Sequence, residues 1–161
     1  MVIVLMGVSG CGKTTIGREL SKQTGWKFYD GDDFHSPDNV EKMRKGIPLT
    51  DADRAPWLET LATSIKEWNR DGGSAILACS ALKADYRRTL GIDQNQVVAV
   101  HLKGSLDTIR SRLESRSGHY MDPNLLNSQF DTLEEPSDAL TVSIDRSPQK
   151  IAEEILTRLT S

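Results

Sequence analysis

The run Gly7-Val8-Ser9-Gly10-Cys11-Gly12-Lys13-Thr14 sets its glycines ahead of a lysine and a threonine in the spacing G-x-x-x-x-G-K-[ST]. Glycines there admit backbone conformations that turn amide N–H groups onto phosphate oxygens, and a helix opening behind them adds partial positive charge. Lys13 has the reach and charge for β- and γ-phosphates, and the Thr14 hydroxyl is a hard oxygen suited to Mg²⁺. The expected ligands of this loop, with Thr15 behind it, are therefore ATP and Mg²⁺. Such a loop alone does not separate GTPase, ATPase and kinase, so the class must come from other polar clusters.

The first of these is Phe28-Tyr29-Asp30-Gly31-Asp32-Asp33-Phe34-His35. Phosphoryl transfer to a hydroxyl needs one carboxylate near the metal and another to take the hydroxyl's proton as attack proceeds. Asp30 is assigned to the metal side and Asp32 to the hydroxyl, on the reasoning that alternation leaves both on one side of an extended backbone; the order of the two roles stays open. His35 is read as a substrate contact. A turn or a cap for the helix opening at Ser36-Pro37 is the competing reading for Asp32 and Asp33.

Positioning these groups requires strands that end at them. Short apolar runs at 2–6, 27–30, 74–79, 96–102 and 140–144 read as five buried strands, with helical patterns between them. Residues 55–70 place Trp57, Leu61, Ile65 and Trp68 on one face, with Pro56 near the first turn; 14–24 and 148–160 are helical as well. This alternation predicts an α/β, doubly wound, five-stranded parallel sheet, with sites at the strands' C-terminal ends. The polar stretches 31–54 and 115–122 are the expected substrate segment and lid.

With 161 residues the chain is expected to form one catalytic domain. A net charge of −3, with acidic and basic residues interspersed, argues against nucleic acid as a partner. Cys11 lies inside the phosphate loop, where a disulfide would block the approach of phosphate, so a reducing compartment is expected. The apolar start lacks a basic segment and is too short to span a membrane; no membrane partner and a cytoplasmic location are expected.

Further motifs follow in order: NVEKM at 39–43, PLTDADRAPWL at 48–58, CSALKADYR at 79–87, LKG at 102–104, GHYM at 118–121 and QFDTLEEP at 129–136. Together with DGDDFH they make the chain resemble the gluconokinases, ATP-dependent gluconate 6-kinases. That resemblance implies a P-loop NTPase fold of the nucleoside-monophosphate and shikimate kinase group, with an acceptor-binding segment at about 31–70 and a lid at about 115–135. It further implies D-gluconate as acceptor and a homodimer. Arg54 is then the partner of the acceptor carboxylate, since guanidinium grips carboxylate bidentately. Lys83, Arg87, Ser80 and His35 are acceptor contacts, with a helix N-cap as the alternative for Ser80 and surface ion pairs for the basic residues. Arg116 in the lid is expected to act on the transferring phosphoryl group, with His119 beside the acceptor. Adenine contacts are carried onto Arg112 and Pro148.

Other acceptors remain open from the residues alone: a nucleoside monophosphate, shikimate or a different sugar acid. A nucleotide would want base-recognition groups, which the polar acceptor segment does not offer. A non-catalytic nucleotide switch is the rival from another class, and a GTPase would show an N-K-x-D motif that this chain lacks.

Overall fold

A computed structural model describes residues 1–115, 123–137 and 139–160. Strands β1 (Val2–Met6), β2 (Lys27–Asp30), β3 (Ala75–Ala78), β4 (Val97–Lys103) and β5 (Leu140–Ser143) form one sheet in the order β2-β3-β1-β4-β5. Every neighbouring pair is parallel. The helices are α1 (Lys13–Thr24), α2 (Pro37–Arg44), α3 (Asp51–Asn69), α4 (Ala84–Leu90), α5 (Leu106–Ser115), α6 (Pro123–Thr132) and α7 (Pro148–Thr160).

The pleat of β1 accounts for the layering. Ile3 and Leu5 join one apolar cluster with Ile16 and Leu20 of α1 and Ile151 and Ile155 of α7. Val2, Val4 and Met6 point to the opposite face and pack with Trp57, Leu61 and Ile65 of α3 and Leu90 of α4. Both faces of β1 are closed to solvent, which is why its sequence is continuously apolar rather than alternating. Right-handed crossovers then bring the C-terminal ends of all five strands, and the loops after them, to one edge of the sheet.

Two local expectations are corrected. The helix placed at 55–70 begins at Asp51, because Thr50 caps it: the Thr50 hydroxyl accepts from the Asp53 amide, and the Asp53 carboxylate accepts from the Thr50 amide. Pro56 therefore lies inside the helix rather than in its first turn. In the sheet, β3 runs between β2 and β1. Second, Asp30 and Asp32 do not share one extended segment, since the backbone turns into a 3₁₀ turn at Gly31–Phe34, capped by the Asp30 carboxylate accepting from the Asp32 amide.

Candidate active site

The strand ends surround a cavity of about 430 Å³. Its floor is the end of β3, where Ala78, Cys79 and Ser80 line it. The Gly7 amide donates to the Ser80 carbonyl at 3.1 Å, fixing the phosphate loop against that strand end. Gly7 holds φ at 146°, and a Cβ there would stand 2.8 Å from Cys11 Sγ and 3.0 Å from the Leu102 carbonyl. The loop thus tolerates no side chain at its first position. Gly12, at φ 101°, lets the chain enter α1 with its first amides facing the cavity. Ser9, Gly10, Gly12, Lys13 and Thr14 all line the cavity, whereas Val8 and Cys11 turn into the core. Lys13 Nζ donates to the Gly7 and Val8 carbonyls at 2.9 and 3.1 Å, which holds its ammonium at the mouth of the loop.

Across the cavity stand Asp30 and Asp32. Their turn is pressed onto β3: a Cβ on Gly31 would lie 2.6 Å from the Ala78 carbonyl, and Trp57 Nε1 donates to the Gly31 carbonyl at 2.7 Å. The Asp32 carboxyl is held above its ordinary pKa first by the restricted water of the cleft and then by Asp30, with Lys13 opposing. Three quarters of its side-chain surface still meets solvent, so it is shielded by concave walls rather than sealed. A carboxylate with raised basicity, open to a ligand cavity, is suited to accept a proton.

His35 stacks on Trp57 with ring centroids 4.1 Å apart, and its Nε2 lies 3.8 Å from Asp32 Oδ1. Burial, and then the nearby Arg54 charge, push its pKa down to about 4, so the ring is neutral at physiological pH. Arg54 completes the polar wall. Its Nη1 donates to the Tyr86 hydroxyl at 3.0 Å, and Tyr86 in turn donates to Asp51. Lys83 donates to the same Asp51 carboxylate at 3.1 Å.

A family model described as "Shikimate kinase" matches residues 9–160. A gluconokinase of Gluconobacter oxydans is 45% identical over 157 residues, covering 96% of this chain and 88% of its own length. The thermoresistant gluconokinase of Escherichia coli is 42% identical over 90% of this chain and 85% of its own. The chain belongs to the gluconokinases of the shikimate kinase family. The crystal structure of a gluconokinase from Sinorhizobium meliloti superposes with a TM-score of 0.87 at 36% identity, covering 99% of this chain and 91% of that one. An APS kinase from Mycobacterium tuberculosis, at 21% identity and TM-score 0.69, shares the fold. The protein is thus a P-loop kinase and uses ATP.

Within this gluconokinase framework, Asp30, Asp32, His35, Arg54 and Ser80 meet the phosphate loop around one cavity. Ser80 is not a helix cap, because α4 starts at Ala84 with Lys83 in the cap position, and the Ala84 amide is met by Glu134 Oε1 at 2.9 Å instead. Lys83 and Arg87 stand outside the cavity wall. Arg87 is buried and donates to the Ala81 and Glu134 carbonyls at 2.7 and 2.8 Å, tying the strap after α6 to α4. Arg112 donates to the Ile144 carbonyl at 2.6 Å, next to the loop that leads to Pro148 at the start of α7. Thr15 faces solvent in the first turn of α1. Arg116 and His119 lie outside the described residues.

Sequence reasoning missed several contributors. Trp57 reads as core by its periodicity, yet its ring carries His35 and its indole N–H anchors the Gly31 turn. Tyr86 sits in a quoted motif without an assigned role and turns out to link Arg54 to Asp51. Gln129, first residue of QFDTLEEP, accepts from the Ser9 amide at 2.7 Å and donates to the Ser9 hydroxyl at 2.9 Å, joining α6 to the phosphate loop. Only partner distances in the folded chain expose these roles.

Proposed function

We propose that the protein transfers the γ-phosphoryl group of ATP to the 6-hydroxyl of D-gluconate, giving 6-phosphogluconate and ADP. The observation that carries this reading is the joining of a phosphate loop, a raised-pKa carboxylate and an arginine around one cavity, in a chain whose relatives are gluconokinases. The loop amides and Lys13 hold the β- and γ-phosphates. Arg54 takes the gluconate carboxylate, with its guanidinium braced by Tyr86. The 6-hydroxyl oxygen then bonds to the γ-phosphorus as the bond to the β-γ bridging oxygen breaks. Asp32 receives the hydroxyl proton and later releases it to solvent.

The Thr14 hydroxyl and the Asp30 carboxylate, both on the cavity wall, form a hard-oxygen set that fits Mg²⁺, which is bound through few protein oxygens together with phosphates and water. When bound there, the ion would neutralise charge on the phosphates. A single catalytic unit over residues 1–161, with the acceptor segment at about 31–70 and a lid at about 115–135, working in the cytoplasm, belongs to the same reading. No helix among the described residues is long and apolar enough to cross a membrane.

Shikimate is the second acceptor to test, because the matching family model carries that name. Phosphorus NMR of the product made from gluconate and ATP decides the regiochemistry. A phosphomonoester coupled to the two protons of a primary carbon is expected; coupling to one proton, or free phosphate alone, would refute the 6-kinase assignment.

A further inference from the structure

Asn39, in the first turn of α2, is 95% buried and stands behind the cavity wall rather than in it. Its Nδ2 lies 2.9 Å from the Asp53 carbonyl and 3.3 Å from His35 Nδ1. The Asp53 carbonyl only accepts, so the group facing it must be the amide NH₂ and not the amide oxygen. That same NH₂ has only protons to offer His35. His35 Nδ1 must therefore carry the lone pair, and the ring proton of the neutral imidazole sits on Nε2.

Nε2 is the nitrogen that faces Asp32, 3.8 Å from Oδ1. That distance is longer than a hydrogen bond and leaves the N–H available to an oxygen seated between the two groups. The ring itself has little freedom to turn over, since its side chain is only 3% exposed and it is stacked on Trp57 at an interplanar angle of 15°.

We propose that Asn39 is a positioning residue that locks His35 as its Nε2–H tautomer, so that His35 presents a hydrogen-bond donor, and never a base, to the acceptor hydroxyl beside Asp32. The proposal rests on the acceptor reading of this cavity for its functional half. Its chemical consequence is a division of labour. The only lone pair of His35 is committed to Asn39, so the hydroxyl proton goes to Asp32. His35 Nε2–H meets a lone pair of the acceptor oxygen, orienting the other lone pair toward the phosphorus. Burial holds the ring neutral, so the donor carries no positive charge that would draw the proton off Asp32. The buried amide is thereby connected to the reaction through a chain running from the Asp53 carbonyl at the start of α3, through Asn39, to His35.

The test uses the full-length protein labelled with ¹⁵N-histidine and long-range proton-nitrogen correlation at neutral pH. The chain has only three histidines, His35, His101 and His119, so loss of one set of signals in His35→Gln assigns the ring. The expected spectrum shows His35 Nε2 at the shift of a protonated nitrogen and Nδ1 at that of a bare one. A wild-type ring protonated on Nδ1, or an even mixture of tautomers, overturns the proposal before any Asn39 variant is made.

Asn39→Asp replaces the donor with an acceptor and should move the proton to Nδ1, with kcat for gluconate falling roughly tenfold or more and the KM for ATP little changed, as when an outer partner orienting an imidazole is lost. Asn39→Leu should give mixed tautomers and an intermediate loss of kcat. An unchanged tautomer, or an unchanged kcat with the tautomer moved, overturns it. Wild-type protein that releases no ADP with gluconate would refute the acceptor reading, while the tautomer assignment would still be decided by the spectrum.

Discussion

Each functional residue here is defined by what fixes it. Lys13 is positioned by the loop's own carbonyls, so Lys13→Ala should leave the fold intact while kcat drops by about 10²-fold or more, the scale of losing one charge-stabilising donor. A circular dichroism melt alongside a coupled ADP assay separates the two effects, and near-normal turnover would remove Lys13 from the phosphate site. Asp32→Asn should lower kcat by at least about 10²-fold and change the KM for gluconate little, because a base acts in the transition state. The pKa of Asp32 is raised, and the base must be ionised to act. The acid limb of kcat/KM in wild type should therefore fall at a pH above the ordinary aspartate value of 3.8 and be absent in Asp32→Asn. The phosphate loop and the Asp30–Asp32 pair were legible at this scale because their chemistry is local in sequence. Arg87 was not: its charge suggested a ligand, yet a buried guanidinium here satisfies two backbone carbonyls from segments more than fifty residues apart.

At the scale of elements, the turn after β2 is the sensitive joint. Gly31→Ala places a methyl against the Ala78 carbonyl, a backbone atom that cannot rotate away, so the turn must lift and carry Asp30 and Asp32 with it. The expected outcome is a kcat loss exceeding that of a conservative change at exposed Asp33, read in the same ADP assay. The start of α3 depends on its capping box, and Thr50→Ala should cost about 1 kcal/mol in urea unfolding. No change would mean that the cap is replaced by solvent. Strands and most helices were readable from apolar runs and periodicity. The start of α3 was misplaced because Pro56 resembles a first-turn proline, while the cap at Thr50 precedes it in a polar stretch with no apolar signal. The adjacency of β2 was likewise invisible, since strand order depends on which crossover passes over which strand.

For the whole molecule, the doubly wound sheet brings loops far apart in sequence to one edge, and the site exists only in the folded chain. A ligand that binds only that folded form must stabilise it. A non-hydrolysable ATP analogue with Mg²⁺ at about 100 times its Kd should add about 2.7 kcal/mol. For a chain of this length that corresponds to a rise in Tm of roughly 5–10 °C, absent in Lys13→Ala. The family and its donor were legible in ordered motifs spread along the chain. The assignment of the acceptor is tested most directly by ADP release measured with saturating ATP and Mg²⁺ against gluconate, shikimate, other sugar acids and water. The account predicts turnover that depends on gluconate and exceeds the others by at least about tenfold, the discrimination expected when buried polar groups are left unpaired by a poorer acceptor. Equal or greater turnover with shikimate, or ADP release indifferent to any acid, would contradict it.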